Sequence, residues 1–210
     1  MGLVKDTTNE EKGYAKINLA LHVTGIQADG YHALDSIVGF TDIYDRLFFK
    51  RSLKNVVTLS GEFSKSINVR ENSILQALKL FGNGLTDRFS INLEKNLPIG
   101  AGLGGGSADA AAVIRFITNN SKHLMPSYEV LSKIGADIPA CVLSVASRVG
   151  GIGEIVRPLD MSEINLWVVL VNPDIFVSTR SIFEEVTEKY NQPLESFIDL
   201  SSTDKFVDYL

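Results

Sequence analysis

Between Asn96 and Ala112 the chain reads NLPIGAGLGGGSADAAA, with glycine at 100, 102, 104, 105 and 106. No other stretch limits the possible folds as tightly. Glycine admits φ > 0 and places no Cβ between backbone and ligand. Phe89, Ile91 and Leu93 alternate with Ser90, Asn92 and Glu94, which predicts a strand running into the glycines. Ser107 is a good N-cap for an alanine-rich helix to about Asn119. A helix starting there aims unpaired N–H groups and the positive end of its dipole back at the loop. Strand, bare loop and helix start together make a cradle for phosphate oxygens. The pattern points to nucleotide-dependent chemistry, and to a kinase first.

Three known loop chemistries compete for this pattern. The P-loop requires Gly-Lys-Ser/Thr after its glycines, and Gly105-Gly106-Ser107 has no lysine. The dinucleotide fingerprint G-x-G-x-x-G does match at Gly100, Gly102 and Gly105, but it also needs an acid-tipped strand about 20 residues on. Here the polar link Asn119–Pro126 leads to another helix instead. A ligand-free tight turn is the bland alternative, and it does not call for so many glycines. The third chemistry, P-x-x-x-G-L-G-G-G-S-A, fits Pro98 to Ala108 without a gap.

The remaining chain supplies a setting for one large domain or two small ones. Its 210 residues carry a net charge of −5, which gives no nucleic-acid footprint. No run is long and apolar enough for a membrane span, and the polar start has no signal-peptide core. The single cysteine, Cys141, cannot form an internal disulfide, so a reducing cytoplasm fits. Lying in the apolar run 138–145, it reads as a small buried hydrophobe. Residues 1–13 read as a loose tail. Strands are expected at 14–23, 36–40, 46–50, 55–59 and 166–171. Helices are expected from Asn72 or Ser73 to Phe81, from Ser127 to Gly135, and from Ser178 to Tyr190. A boundary falls near Pro158 to Asn165.

In the first strand, Ile17, Leu19, Leu21 and Val23 alternate with Lys16, Asn18, Ala20 and His22. Alternation alone makes Lys16 part of a solvated face. Asp137, just before Pro139, reads as a helix N-cap. Asp109, in the first turn of the loop helix, suits the helix dipole but repels a phosphate, so it faces sideways or holds a metal through water. Ser107 serves equally as cap, phosphate donor or Mg²⁺ neighbour. His123 reads as an exposed link residue. No His/Cys/Asp/Glu cluster has metal-ligand spacing.

Pro98 to Ala108 resembles the ATP loop of the GHMP kinases, the family of galactokinase, homoserine kinase and mevalonate kinase. Further motifs follow in order: Ala15-Lys16-Ile17-Asn18-Leu19, Asp29-Gly30-Tyr31-His32, Gly135-Ala136-Asp137-Ile138-Pro139, Gly151-Ile152-Gly153-Glu154 and Val177-Ser178-Thr179. Together they cover residues 14 to about 190 and are most similar to the branch that phosphorylates diphosphocytidyl methylerythritol. The resemblance implies an α+β GHMP-kinase fold. Residues 1–160 would be an N-terminal ATP-binding domain of the ribosomal-protein-S5-domain-2-like type, and residues 161–210 an incomplete C-terminal α+β domain. The third glycine motif of the family, of the Gly-Ser-Gly type, is not found after residue 190, so the chain looks truncated there.

By the same resemblance, Lys16 and Asp137 are catalytic, Asp137 as general base on the acceptor hydroxyl. Pro98, Ile99, Gly100, Ala101, Gly102, Leu103, Gly104, Gly105, Gly106, Ser107 and Ala108 bind ATP, with Asn72 and Lys95 toward its nucleoside end. Asn18, Tyr31, His32 and Phe183 bind the substrate; Tyr31 and Phe183 stack on cytosine, and His32 hydrogen-bonds its edge. ATP brings Mg²⁺ with it, and the protein itself holds no metal site. The partners are this small molecule and ATP, without nucleic acid or membrane, in a monomer or weak homodimer in the cytoplasm. Two alternatives stay open: a homoserine- or mevalonate-type kinase, which has no cytosine for Tyr31 to meet, and a non-catalytic nucleotide-binding module.

Overall fold

The structure is a computed structural model that describes residues 9–28, 30–66, 73–82, 87–172, 175 and 177–210. Two long strands, β1 (Asn9–Ile26) and β2 (His32–Ser52), form an antiparallel ribbon along their whole length. β3 (Val56–Ser60) and α1 (Ser73–Leu80) lead to β4 (Arg88–Glu94), and β4 pairs parallel to β3. The glycine loop and α2 (Gly105–Asn120) come next, followed by α3 (Tyr128–Ser132) and α4 (Ile138–Leu143). β5 (Ser147–Gly151) and β6 (Ile155–Pro158) complete the sheet. Its order is β3-β4-β2-β5-β6, with β1 also on β2. Beyond it lie α5 (Thr179–Glu185) and α6 (Thr203–Tyr209).

β2 is the central member. Its first half pairs with β5 (Leu34↔Gly151 to Val38↔Ser147), and its second half with β4 (Arg46↔Glu94 to Ser52↔Arg88). The expected strands 36–40 and 46–50 are therefore one strand. The polar link between them stays extended because Tyr44 and Asp45 pair with Tyr14 and Gly13 of β1. Residues 9–13 are likewise strand rather than tail. The Glu10 carboxylate takes two bonds from the Arg46 guanidinium, at 2.9 and 3.2 Å, and Glu11 accepts from Arg115 at 3.1 Å.

The core lies between one sheet face and α1 and α2. Leu47, Phe49, Phe89, Ile91 and Leu93 meet Ala111, Val113, Ile114, Phe116 and Ile117, all buried. The alanines of α2 let its backbone approach the sheet, and Phe49 stacks on Phe116 with ring centroids 3.8 Å apart. Ile114 is fully buried in this layer. Ile114→Ala should lower the unfolding free energy by about 2–5 kcal/mol, through lost transfer energy and the cavity left behind. The urea midpoint measures it.

Several other expectations need correction. α2 begins at Gly105, capped by Gly104 in the left-handed region (φ 64°), so Ser107 is not the N-cap but lies inside the first turn. Ser127 does precede α3, yet its hydroxyl makes no capping bond. The helix expected over 178–190 ends at Glu185 because Val186 turns extended. The segment 166–171 is not a strand: among the described residues nothing pairs with it, and Trp167 is 95% exposed. His123 packs edge-on against Phe81. Among the described residues no helix is long and apolar enough to cross a membrane.

Candidate active site

Alternation fails at Lys16 because the ribbon is irregular just before it: from the pair Tyr14↔Tyr44 to the pair Lys16↔Phe40, β2 advances four residues while β1 advances two. A bulge re-aims the side chains that follow it. Lys16 is consequently 4% exposed rather than solvated. Its backbone N–H donates to the Leu103 carbonyl at 2.9 Å, tying β1 to the glycine loop. Its ammonium lies 3.1 Å from Asp137 Oδ1 and 3.5 Å from Asn18 Oδ1. Asn18 Oδ1 also accepts from the Ser36 hydroxyl at 3.1 Å.

Asp137 arrives from the other end of the fold. It occupies the N-cap position of α4, with Pro139 in the first turn, but its carboxylate makes no capping bond. The side chain is turned to Lys16 and is 41% exposed, so one face of the carboxylate remains open. Gly153 holds this corner in place. Its φ is +115°, and a Cβ there would overlap the Ala136 carbonyl.

Both side chains converge on the loop. A Cβ at Gly104 would stand 3.3 Å from Lys16 Cε and 3.5 Å from Asp137 Oδ2. Gly100, Gly102 and Gly104 all have positive φ, at 69°, 74° and 64°. The first helical N–H to find a partner is that of Ala108, bonded to Gly104 O at 2.9 Å. The amides of Gly105, Gly106 and Ser107 thus have no acceptor within the helix and carry its positive dipole end. Ser107 Oγ sits where a Cβ on Gly135 would be 3.3 Å away. The arrangement offers bare amides for an anion, with an ammonium and a half-open carboxylate alongside.

Lys95 does not reach the surface of this cradle. It is buried beneath the loop, where its ammonium is bonded to Asp45 and, at 3.0 Å, to Asp109. Asp109 therefore neither faces sideways nor stands where a metal at the loop mouth could reach it. Burial first, then repulsion from Asp45, push its carboxyl up to about 7 against the pull of Lys95. The folded state then holds a proton that the unfolded chain releases near the ordinary carboxylate value. Its contribution to stability falls as pH rises from about 4 to about 7. Asp109→Asn should flatten the pH dependence of Tm in that window. An unchanged slope would contradict the assignment.

Tyr31, His32 and Phe183 form a separate group at the turn of the β1–β2 ribbon. His32 pairs with Ile26, ten positions along β1 from Lys16. The His32 and Phe183 rings stack on each other, with centroids 5.1 Å apart and planes 25° apart. His32 Nε2 is buried with no hydrogen-bond partner among the described residues. Tyr31 is 62% exposed beside them. Asn72 and Asp29 lie outside the described residues.

Asp35 and Arg148 were not singled out in the sequence. Arg148 grips Asp35 with two bonds, at 2.6 and 2.8 Å, and also donates to the carbonyls of Leu194 and Glu195. The guanidinium holds the Asp35 carboxyl below the usual carboxylate range. With Asn191 donating to Val23 O, this straps segment 191–195 to the ribbon. No local pattern marked them: Asp35 stands one residue before the expected strand 36–40, and Arg148 falls in none of the expected elements. Cys141 is fully buried and burial pushes its thiol pKa up, in keeping with a structural role.

Known proteins resemble this chain over most of its length. The chain is 37% identical over 198 residues to 4-diphosphocytidyl-2-C-methyl-D-erythritol kinase from Cereibacter sphaeroides, covering 93% of this chain and 70% of the relative. The chain belongs to the 4-diphosphocytidyl-2-C-methyl-D-erythritol kinase family. A member of that family from Rhizobium johnstonii is 42% identical over 193 residues, covering 88% of this chain but 63% of the relative. The chain thus spans roughly two thirds of the length of these kinases. A crystal structure of 4-(cytidine 5'-diphospho)-2C-methyl-D-erythritol kinase superposes with a TM-score of 0.67 at 28% identity. It covers 88% of this chain and 67% of that one. Residues 72–151 match the family model described as GHMP kinases N terminal domain. The α+β architecture is the GHMP-kinase fold.

Proposed function

We propose that this chain transfers the γ-phosphate of ATP to the 2-hydroxyl of 4-diphosphocytidyl-2-C-methyl-D-erythritol. The observation that carries the reading is the Lys16–Asp137 pair, 3.1 Å apart and against Gly104 of the glycine loop. The name borne by the family's members supplies the substrate. In this reading Pro98 to Ala108 cradle the triphosphate, and the amides of Gly105, Gly106 and Ser107 bind its oxygens. The open side of Asp137 takes the proton from the hydroxyl. The freed oxygen attacks the γ-phosphorus, the bond from that phosphorus to the β-bridging oxygen breaks, and ADP leaves. Lys16 orients the acceptor and balances charge that builds on the transferring group.

Mg²⁺ would come as a companion of the nucleotide. When bound, it would neutralise phosphate charge. Tyr31, His32 and Phe183 would take the cytosine, and the unpartnered His32 Nε2 supports a polar contact to the base edge. Phe183 would then have to leave His32 or share a face with it, since the two are stacked. Residues 1–160 serve as the ATP-binding unit and 161–210 as part of the second lobe. The enzyme acts in the cytoplasm as a monomer or weak homodimer.

The test is incubation of the full chain with ATP, Mg²⁺ and the diphosphocytidyl alcohol, followed by ³¹P NMR. A new phosphomonoester resonance is expected. Preferred transfer to homoserine or mevalonate would overturn the substrate. ATP binding with transfer to none of the three would leave a nucleotide-binding module.

A further inference from the structure

Three charged side chains lie beneath the glycine loop and have no part in the transfer just described: Asp45 of β2, Lys95 just after β4, and Asp109 early in α2. Each is at most 4% exposed. Asp45 Oδ1 accepts the backbone N–H groups of Asn96 at 2.6 Å and Leu97 at 2.8 Å, while Oδ2 accepts from the Lys95 ammonium. The same ammonium reaches Asp109 Oδ2 at 3.0 Å. Gly105 lies directly above it, and a Cβ there would stand 3.0 Å from Lys95 Nζ.

The main chain of Lys95 is anchored as well. Its N–H donates to Ser60 O at 2.7 Å, and its carbonyl accepts from Phe63 at 3.1 Å. Gly61, with φ +88°, packs where a Cβ would run into the Lys95 backbone. A buried ion cluster of this kind is a poor source of stability, since desolvation offsets most of the attraction. Its effect here is geometric. It joins the residues where the loop begins, 95–97, to Asp109, five positions past its end, and so closes 96–104 at the base.

We infer that Asp45, Lys95 and Asp109 are positioning residues that lock the base of the glycine loop and keep it in the shape that receives a polyphosphate. The inference rests on the proposed reading of the loop as that receptor. A loop already held in its binding shape avoids the ordering cost of association. Lys95 therefore acts on the nucleotide through the loop and not by contact. Asp109 Oδ1 faces Gly13 of β1 and has no hydrogen-bond partner among the described residues, while Oδ2 meets the Lys95 ammonium.

Removing Lys95 would strand two buried carboxylates and threaten folding, so the test works from Asp109. Asp109→Ala leaves Lys95 paired with Asp45 and cuts the link to α2. Asp109→Asn keeps a neutral acceptor for the ammonium. In the full chain, Asp109→Ala should raise KM for ATP roughly tenfold while kcat and KM for the alcohol stay within about twofold. Asp109→Asn should restore KM. Amide hydrogen exchange across 96–104, measured without nucleotide, should quicken in the alanine variant and return toward wild type in the asparagine one. Equal exchange in all three proteins would overturn the lock, whatever the loop binds. An unchanged KM for ATP in a folded Asp109→Ala protein would overturn it too. Failure of the wild type to bind ATP would instead remove the receptor reading and leave exchange to judge the lock.

Discussion

Asp137→Asn is expected to lower kcat by roughly 10²- to 10⁴-fold, the usual contribution of a positioned general base, while ATP still binds. The substitution preserves size and shape. It removes no helix cap, because the Asp137 carboxylate makes none. The glycine-loop amides, which belong to other residues, are untouched. What disappears is a proton acceptor on the open side of the site and the partner of the Lys16 ammonium at 3.1 Å. Lys16 is buried, so the substitution leaves its ammonium without a charged partner, but the asparagine side-chain oxygen can still accept a hydrogen bond from it. Steady-state ADP release measures kcat, and titration calorimetry with ATP checks the cradle. A variant with near-wild-type kcat would remove Asp137 from the chemistry.

Gly153→Ala should damage both stability and turnover from a position that touches no substrate. Two costs add. The backbone at φ +115° lies in a region that residues with a Cβ rarely adopt, which costs of order 1–3 kcal/mol. The new methyl would also overlap the Ala136 carbonyl, which is main chain and cannot swing aside as a side chain would. Relief requires the β5–β6 turn or the Gly135–Asp137 corner to move. The second choice carries Asp137 away from Lys16. A fall in Tm accompanied by a fall in kcat, with KM for ATP little changed, is the expected signature. Retention of both values would mean that the corner is held by something other than this contact.

Much of the fold was legible because its elements carry their own signals. The alternation of Phe89, Ile91 and Leu93 marked β4, and the glycines followed by alanines marked the loop and α2. The convergence of Lys16 and Asp137 was not written in any local pattern. Alternation placed Lys16 on a solvated face, and only the family resemblance brought it to the site. The physical reason is the register shift between Tyr14 and Lys16, where β2 carries two extra residues in a stretch with no glycine or proline to announce it. Asp45 was overlooked for a related reason. A strand acid reads as an edge charge until its partners are known, and these come from Lys95, Asn96 and Leu97, 50 to 52 positions downstream. The segment 166–171 misled in the opposite direction. Its composition suits a buried strand, but a strand exists only where another chain segment takes up its hydrogen bonds.

The ribbon of β1 and β2 also acts as a ruler. It carries Lys16 near its middle and His32 at its turn, so in the proposed reading the reach between a phosphate group and an aromatic base is set along a continuous backbone. Such a scale is quantised: each residue adds about 3.3 Å, and each bulge offsets one edge against the other by one residue. In that reading, a longer or shorter acceptor calls for whole residues to be inserted or deleted between the two sites.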